Sequence, residues 1–188
     1  MHTKEKIKCT IGLTEPLATL LQCYTTKENI GKLKEKTITC TARKTTQPYS
    51  YIFVMTIEAA RIKQIPQLLA SLETNNVVTI GIQVAINPAG NKLIPALGLL
   101  SILRKAEIKP IKHYARVSDK AATLYTYGRD ILPSSIIELN INEKCKDKPV
   151  IVLTREWEPI GYGHIQPTDQ GVLIRNSLDI GWYLRSGV

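Results

Sequence analysis

The chain has 188 residues, of which 44% are hydrophobic, and this fraction excludes a mainly disordered protein. Its 25 Lys and Arg side chains against 16 Asp and Glu give a formal net charge of +9, which favours a polyanionic partner such as nucleic acid. No apolar run approaches the roughly 20 residues of a membrane helix and no signal segment opens the chain, so we expect a soluble, intracellular protein without a membrane partner.

The first third of the chain predicts a helix followed by two paired strands. Thr14–Tyr24 begins with a possible N-cap residue and an early proline and continues as an apolar-rich run, which indicates a short helix. A lysine-rich stretch leads to Thr37–Ala42 and Tyr49–Thr56, which we expect to pair antiparallel across a turn-like Thr-Gln-Pro. Tyr49, Tyr51 and Phe53 alternate along the second strand, so one of its faces is predicted to be aromatic and buried.

The next segment completes an α/β domain over residues 1–108. Ile57–Glu73 has apolar residues at helical spacing, although Pro66 is expected to break the helix. Val77–Ile86 is β-branched and apolar enough for a central strand, and an Asn-Pro-Ala-Gly turn ends it. Leu93–Ala106 predicts an extended entry into a short helix that closes the domain.

Beyond a boundary near residues 107–110, the chain predicts a small β-barrel of short strands separated by turns. The expected strands are Lys112–Val117, Thr123–Tyr127, Ile136–Leu139, Val150–Thr154, Ile160–Ile165 and Val172–Arg175. After the second of these strands, Gly128 is predicted to make a turn and Arg129–Leu132 to form a short helix ended by Pro133. The expected fold class is therefore α+β: an N-terminal α/β domain with an antiparallel sheet and flanking helices, then a small mixed β-barrel over residues 109–188.

The cysteines and histidines show no spacing typical of a catalytic or metal site. The cysteines are Cys9, Cys23, Cys40 and Cys145. They contain no C-x-x-C pair, so buried free thiols are the favoured interpretation. His2, His113 and His164 stand far apart and match no ligand or catalytic-base motif. We expect no metal, no cofactor and no enzymatic activity.

Three stretches of the second half resemble the PUA domain, the small RNA-binding barrel of pseudouridine synthases and archaeosine transglycosylases. The first, TLYTYGRDILPSSI, contains a glycine turn, and the second, PVIVLTREWEPIGYGHI, is a hairpin with an acidic turn followed by Gly-x-Gly. The third, GVLIRNSLDIGWYLRSG, joins a late strand to an Asp-Ile-Gly turn and a terminal Tyr-Leu-Arg. Their order and spacing within residues 123–187 make the resemblance specific.

With the upstream sequence, these stretches resemble the archaeal type of the Nip-seven family of large-subunit ribosome biogenesis factors. VVTIGIQVA, NKLIPALGLLSILRKA and the ending DIGWYLR carry this resemblance. It implies an α/β domain before a C-terminal PUA domain. It also implies a non-catalytic role in ribosomal RNA processing and large-subunit assembly, with RNA and other assembly factors as partners. We expect a monomer in the cytoplasm, or in the nucleolus if the chain is eukaryotic.

The resemblance also implies where RNA is contacted, because PUA domains commonly use the glycine turn, the first helix and late strands. On this chain those positions are Tyr127, Gly128, Arg129, His164, Gln166, Arg175 and Asn176. The basic stretch before the turn adds Lys112, Arg116 and Lys120 as candidates. Residues 109–129 hold five basic side chains against one aspartate, so they are the most positive part of this half.

Structural explanations for several of these residues remain open. A tight turn with positive φ requires Gly128 without any ligand. Arg129 has the alternatives of binding phosphate or a base and of pairing with Asp130. A solvated basic strand is the alternative for the lysines. Trp157 and Trp182 have faces on which bases can stack, but aromatic residues of small barrels more often pack the core, and we predict packing for both.

The sequence departs from many archaeal relatives after Gly163, where they place Arg or Lys and this chain has His164. Alternative sources of the missing charge are Arg129 and Arg175, or the lysine-rich stretch of the N-terminal domain. Most of the charge excess lies in that domain, since residues 1–108 carry 14 basic and 7 acidic side chains and residues 109–188 carry 11 and 9.

The leading hypothesis is an RNA-binding assembly factor. A protein adaptor with weak RNA binding is the first alternative, because the basic residues after Gly163 are missing. An RNA-modification enzyme is the second, because PUA domains often accompany catalytic domains. An N-terminal domain of 108 residues is short for such an enzyme, and the sequence shows no catalytic aspartate motif, cofactor loop or metal cluster.

Overall fold

The computed structural model describes residues 6–43, 50–56, 81–88 and 92–187. The chain divides into two compact units, one of residues 1–22 and 26–102 and the other of residues 23–25 and 103–188. The expected α+β class, with an antiparallel sheet and helices before a mixed, curled C-terminal sheet, is confirmed. Within the described ranges, no helix is long and apolar enough to cross a membrane.

The first unit contains an antiparallel sheet with its five strands in sequence order. The strands are β1 (Lys6–Ile11), β2 (Thr37–Arg43), β3 (Ser50–Thr56), β4 (Ile82–Asn87) and β5 (Ile94–Pro95). The helices are α1 (Glu15–Leu21), α2 (Lys27–Lys34) and α3 (Leu97–Lys105), the last of which runs on into the second unit. The predicted first helix, the strand pair and the extended entry into α3 are confirmed. The helix predicted over 57–73 lies outside the described residues.

Local sequence explains these elements. Thr14 precedes α1 in an extended conformation, Pro16 occupies the first turn, and the apolar side chains bury one face of the helix. The Thr26 hydroxyl accepts a hydrogen bond from the Asn29 amide, 3.3 Å away, and so caps α2. On β3, Phe53 is buried and Tyr51 packs beside it, with 6.3 Å between ring centroids, so the predicted aromatic face is confirmed.

Two disulfides join the four cysteines, so the expectation of free thiols is wrong. Cys9 and Cys40 are directly opposed on β1 and β2, with Cα atoms 4.1 Å apart. Cys23 pairs with Cys145 at a Cα separation of 5.8 Å. The partners are 31 and 122 residues apart in sequence, and only strand pairing and tertiary packing bring them within bonding distance.

The second unit is built on a mixed five-stranded sheet in the order β10-β9-β8-β6-β7, in which only the β6–β8 pair is parallel. Its strands are β6 (Tyr114–Val117), β7 (Ile136–Asn140), β8 (Val150–Leu153), β9 (Pro159–Thr168) and β10 (Gly171–Asp179). Its helices are α4 (Asp119–Thr126) and the terminal α5 (Trp182–Arg185). The inner faces of the strands and of α4 share one apolar core.

The chain enters the glycine turn from a helix, so the predicted strand Thr123–Tyr127 is wrong. The Ser118 hydroxyl caps α4 by accepting a hydrogen bond from the Ala121 amide at 3.4 Å. Ala121, Ala122 and Tyr125 are buried on one face, which is helical spacing. The alternating aromatic residues at the end of this stretch suggested a strand, but the cap and the apolar pattern determine a helix.

The predicted helix Arg129–Leu132 is also wrong, because this segment extends along the free edge of β10. Ile131 exchanges two backbone hydrogen bonds with Ile174, of 2.9 and 3.0 Å. Pro133 then opens a single 3-10 turn and disfavours helical backbone at Leu132, which has φ −72° and ψ 152°.

Residues 23–25 pack into the second unit although α1 and α2 of the first unit flank them in sequence. Tyr24 is fully buried, and its hydroxyl donates to the carbonyl of Pro149 at 2.9 Å. The carbonyl of Tyr24 accepts from the Ile111 amide at 3.0 Å. Together with the Cys23–Cys145 disulfide, these bonds make a remote three-residue segment part of the second unit's core.

Candidate nucleic-acid interface

A buried carboxylate, Asp179, holds the end of the chain against the sheet. Its side chain is 1% exposed. One oxygen, Oδ1, accepts from the Gly181 amide at 2.8 Å and from Nη1 of Arg185 at 3.0 Å. The other, Oδ2, accepts from Nη2 of Arg185 at 2.7 Å and from Nδ2 of Asn176 at 3.0 Å. Hydrogen bonding to Asp179 raises the pKa of Arg185.

The same network positions the glycine turn at the end of α4. Arg185 also donates to the carbonyl of Thr126, and Nδ2 of Asn176 donates to the carbonyl of Tyr125 at 2.8 Å. Gly128 has φ +85°, and a Cβ atom there would lie 3.3 Å from Nη2 of Arg185. The turn therefore requires glycine for its backbone conformation, and the Arg185 guanidinium packs closely over it.

These contacts explain why the sequence DIGWYLR has its Asp, Gly and Arg residues. A Cβ atom on Gly181 would lie 2.0 Å from the carbonyl oxygen of Thr126, so the chain before α5 directly abuts the end of α4. Asp179 and Arg185 then close the network around this contact. The motif thus fixes α5 beside the glycine turn.

The β9–β10 hairpin presents polar side chains on its outer face. His164 and Arg175 are directly opposite each other in the register, and Gln166 follows on β9. All three are exposed, whereas Ile174, on the other face of β10, is fully buried. The outward positions predicted from the resemblance therefore share one side of this hairpin.

Arg129 and Arg175 are exposed, and the described part of the chain holds no ion-pair partner for either of them. Asp130 forms no ion pair with Arg129, and its Oδ1 accepts the Asn176 backbone N–H at 2.8 Å. This bond brings Arg129 beside β10. We define the glycine-turn surface by six exposed RNA-contact candidates, which are Tyr127, Gly128, Arg129, His164, Gln166 and Arg175.

The remaining candidates lie elsewhere or bond within the protein. Asn176 donates to Asp179 and to the carbonyl of Tyr125, so its amide is engaged in the network. Lys120 is exposed in the first turn of α4, at the end of the helix remote from the glycine turn. Lys112 and Arg116 lie before and on β6, three strands from β10, which is about 14 Å across the sheet.

Arg116 belongs to a compact cluster that we call the β6 patch, made of Tyr114, Arg116, Glu138 and Trp157. Its Nη2 lies 2.9 Å from Oε2 of Glu138, and its guanidinium lies 5.0 Å from the centroid of the Trp157 ring. The Tyr114 hydroxyl donates to Oε1 of Glu138 at 2.5 Å. Burial, together with this bond, raises the pKa of Tyr114 to about 12. The β6 patch is thus internally paired.

His113 is a structural histidine rather than a surface ligand. It is fully buried, and its Nδ1 accepts the Asn142 amide at 3.2 Å. An amide N–H can only donate, so the proton of the neutral ring is on Nε2, which donates to the Lys148 carbonyl at 2.9 Å. Burial lowers the pKa of His113. Among the described residues, no group of three or more His, Cys, Asp or Glu has the arrangement of a metal site.

The sequence analysis missed the exposure of the aromatic side chains of α5. Trp157 packs in the β6 patch as predicted, but Trp182 is 43% exposed and Tyr183 is 55% exposed. Tyr127 is 68% exposed at the end of α4. The Trp-Tyr pair directly after Asp-Ile-Gly was the available signal, because a helix of four residues has too few neighbours to bury two large rings.

Comparison with known proteins agrees with this geometry. Residues 113–188 match the UPF0113 PUA domain, so the C-terminal part of the chain is a PUA domain, and PUA domains generally bind RNA. None of the curated proteins matches the sequence significantly.

Two solved structures share the fold of the chain. One is a conserved PUA domain protein from Thermoplasma acidophilum, at 14% identity and a TM-score of 0.50, covering 87% of this chain and 97% of that one. The other is a hypothetical protein from Pyrococcus horikoshii, at 17% identity and a TM-score of 0.51, covering 94% of this chain and 99% of that one. At these identities the likeness shows the fold alone.

Proposed function

We propose that this chain is a non-catalytic RNA-binding protein that acts in ribosomal RNA processing and assembly of the large ribosomal subunit. RNA is bound on the glycine-turn surface of the PUA domain, by a monomer that needs no metal or cofactor and that also contacts other assembly factors. The resemblance to the Nip-seven family supports the ribosomal role. The observation that carries the RNA-binding role is the pair of exposed arginines, Arg129 and Arg175, on that surface.

The chemistry of this surface suits a phosphate backbone. A guanidinium forms two parallel hydrogen bonds to one phosphate, and neither Arg129 nor Arg175 must first break an ion pair with a described residue. One exposed carboxylate, Asp130, lies beside the glycine-turn surface, and its Oδ1 accepts the Asn176 backbone N–H, so the two arginines leave the region a positive excess. RNA that binds here releases counterions, so its affinity falls as salt rises.

The first experiment measures binding of labelled single-stranded and structured RNA across a salt series, with the variant Arg129→Ala/Arg175→Ala. We expect wild-type affinity to fall steeply with salt, and the variant to bind roughly 10-fold or more weakly with a log–log salt slope lower by about 1.4. The matched control is Arg104→Ala/Arg155→Ala. It removes the same charge from two exposed arginines that pair with Glu158 and Asp119.

The control separates a defined site from a general charge effect. Equal losses in the two double variants contradict a site on the glycine-turn surface. Absence of wild-type binding at low salt contradicts the RNA-binding function. For the ribosomal role, the full chain is expected to co-sediment with large-subunit precursor particles in an extract of its own organism, and sedimentation only as free protein contradicts that role.

A protein adaptor is the second candidate function. A cavity of about 220 Å³ in the second unit favours it, because Leu103, Ile108 and Trp157 give the cavity an apolar lining. Its charged residues are three acidic and two basic, a small negative excess, and Arg104 is paired with Glu158: Glu107, Glu156, Glu158, Arg104 and Lys109. A basic, apolar segment of another assembly factor complements this lining. RNA binding too weak to measure, together with a defined protein partner lost on Glu107→Lys/Glu156→Lys, favours the adaptor over the RNA-binding factor.

A further inference from the structure

Three exposed aromatic rings stand beside the glycine turn, and the network around Asp179 does not use them. Tyr127 is 68% exposed, Tyr183 55% and Trp182 43%. Large aromatic side chains are normally well buried in a domain of this size, so a cluster of exposed rings marks a contact surface.

The backbone contacts place these rings in one region. Gly181 abuts the carbonyl of Thr126, and the residues that follow these two are Trp182 and Tyr127. The guanidinium of Arg185 bonds to the Thr126 carbonyl and lies against Gly128, so α5 and the turn form a continuous surface. The rings of Trp182 and Tyr183 meet at 76° with centroids 5.2 Å apart, so they offer two differently oriented faces.

We propose that these rings form an aromatic platform, defined as Tyr127, Trp182 and Tyr183, on which unpaired RNA nucleotides stack. This inference rests on the proposed RNA-binding function and specifies the RNA that the glycine-turn surface takes. Every base has a π face, so aromatic platforms bind single strands with little sequence preference. In an A-form duplex the bases are stacked on one another and their faces are not free, so a duplex without unpaired ends gains little from the platform.

The neighbouring charge favours RNA over an apolar protein segment as the occupant. Arg129 follows the glycine turn directly, is exposed and has no ion-pair partner among the described side chains. A strand whose bases stack on the platform therefore has a guanidinium next to its phosphates. The Asp179 network fixes both backbones that present the rings, so little ordering is needed on binding. An apolar partner would instead use Leu184, which is 90% exposed on the same helix.

The experiment uses tryptophan fluorescence, because the chain has two tryptophans, one in the platform and one in the β6 patch. The full chain with Trp157→Phe reports Trp182 alone. It is titrated with a U-rich single strand and with a blunt RNA duplex, while labelled-RNA anisotropy measures binding directly. We expect the single strand to quench Trp182 fluorescence in step with binding, and the duplex to leave it unchanged.

Substitutions that keep apolar area but remove the ring test stacking itself. We expect Trp182→Leu or Tyr127→Leu to weaken single-strand binding roughly 5-fold to 150-fold per stacked base, and Trp182→Phe to restore most of it. The matched control, Leu184→Ser on the same helix, is expected to leave the affinity for the single strand unchanged. A loss with Leu184→Ser equal to that with Trp182→Leu overturns the platform and indicates a general apolar contact.

The results of these experiments distinguish a failure of the aromatic platform from a failure of the proposed RNA-binding function. Binding by anisotropy without a change in Trp182 fluorescence overturns the platform and leaves the proposed function standing. Equal quenching by the blunt duplex overturns the preference for unpaired nucleotides. No RNA binding at all overturns both. Retained binding in Trp182→Leu, with an unchanged circular dichroism spectrum, also overturns the platform.

Discussion

The glycine-turn surface and the β6 patch both contain arginines predicted to bind RNA, but they differ in what surrounds the guanidinium. Arg116 in the β6 patch contacts Glu138 at 2.9 Å and the Trp157 ring at 5.0 Å, and only 25% of its side chain is exposed. Arg129 and Arg175 are exposed and have no carboxylate partner within the described residues. A ligand phosphate must displace an existing pair at Arg116, whereas at the other two it displaces water.

The same distinction applies to the acidic and histidine side chains. Asp179 is buried with four donors, whereas Asp169 is exposed at the tip of the β9–β10 hairpin. His113 is buried with both ring nitrogens bonded, whereas His164 is exposed opposite Arg175. Substitution of a side chain that is hydrogen-bonded within the protein is expected to lower stability, and substitution of an exposed side chain without such bonds is expected to change binding.

The largest effect is expected for Asp179→Asn. An amide accepts through one oxygen only and places its NH₂ against the two donors at the other position, so we expect a loss of about 2–4 kcal/mol in the free energy of unfolding. Denaturant titration followed by circular dichroism measures this loss, and Asp169→Asn is the control, expected within about 0.5 kcal/mol of wild type. Wild-type stability in Asp179→Asn would show that the network is not what positions the turn.

A smaller effect on stability is expected for Arg116→Gln, by about 1–2 kcal/mol, because it leaves Glu138 and one face of Trp157 without their cation. Its affinity for RNA should remain within about 2-fold of wild type, since one surface charge far from the site contributes little. Arg129→Gln is the matched variant, with the opposite outcome: unchanged stability and weaker RNA binding. If Arg116→Gln weakens RNA binding as much as Arg129→Gln does, the β6 patch belongs to the interface.

The fold was largely predictable where one local pattern determined each element. The buried β8 strand, the cap and proline of α1, and the β2–β3 pair follow from residues close in sequence. The segments that were predicted wrongly, or whose position was not predicted, depend on residues that are distant in sequence. Arg129–Leu132 is extended because Ile131 bonds to Ile174, and residues 23–25 join the second unit through Pro149 and Ile111.

The sequence proposed residues for the candidate site but could not show what surrounds each of them. The glycine turn and the late strands came from the resemblance, and the structure places them on one surface. Nothing in the sequence separates Arg116 from Arg129, because the difference lies in Glu138 and Trp157, which approach β6 from elsewhere in the chain. Trp182 was predicted to pack, but it is exposed, because exposure depends on neighbours that the sequence does not specify.

The buried His113 and the exposed His164 are expected to differ in their effect on the pH dependence of the free energy of unfolding. Burial lowers the pKa of folded His113 below the ordinary value of 6.5, so near and below that pH the unfolded chain binds more protons than the folded one. The contribution of His113 to stability is therefore complete above pH 6.5 and is lost as pH falls below it. Unfolding free energies measured between pH 5 and 8 are expected to show this slope in wild type and in His164→Asn, and to lack it in His113→Asn. An unchanged slope in His113→Asn would assign the dependence to other groups.

The smallest effect is expected from adding a positively charged side chain at an exposed position of the hairpin. His164 lies opposite Arg175 on the outer face of β9, and no described side chain pairs with it. His164→Lys is expected to bind single-stranded RNA roughly 3- to 5-fold more tightly near 0.1 M salt and to steepen the salt slope by about 0.7, which corresponds to one added phosphate contact. Gln170→Lys adds the same charge at the hairpin tip and should leave both quantities near wild type. Equal gains in the two variants would mean that the hairpin attracts RNA by net charge alone, whereas a gain confined to His164→Lys would mean that RNA lies beside Arg175.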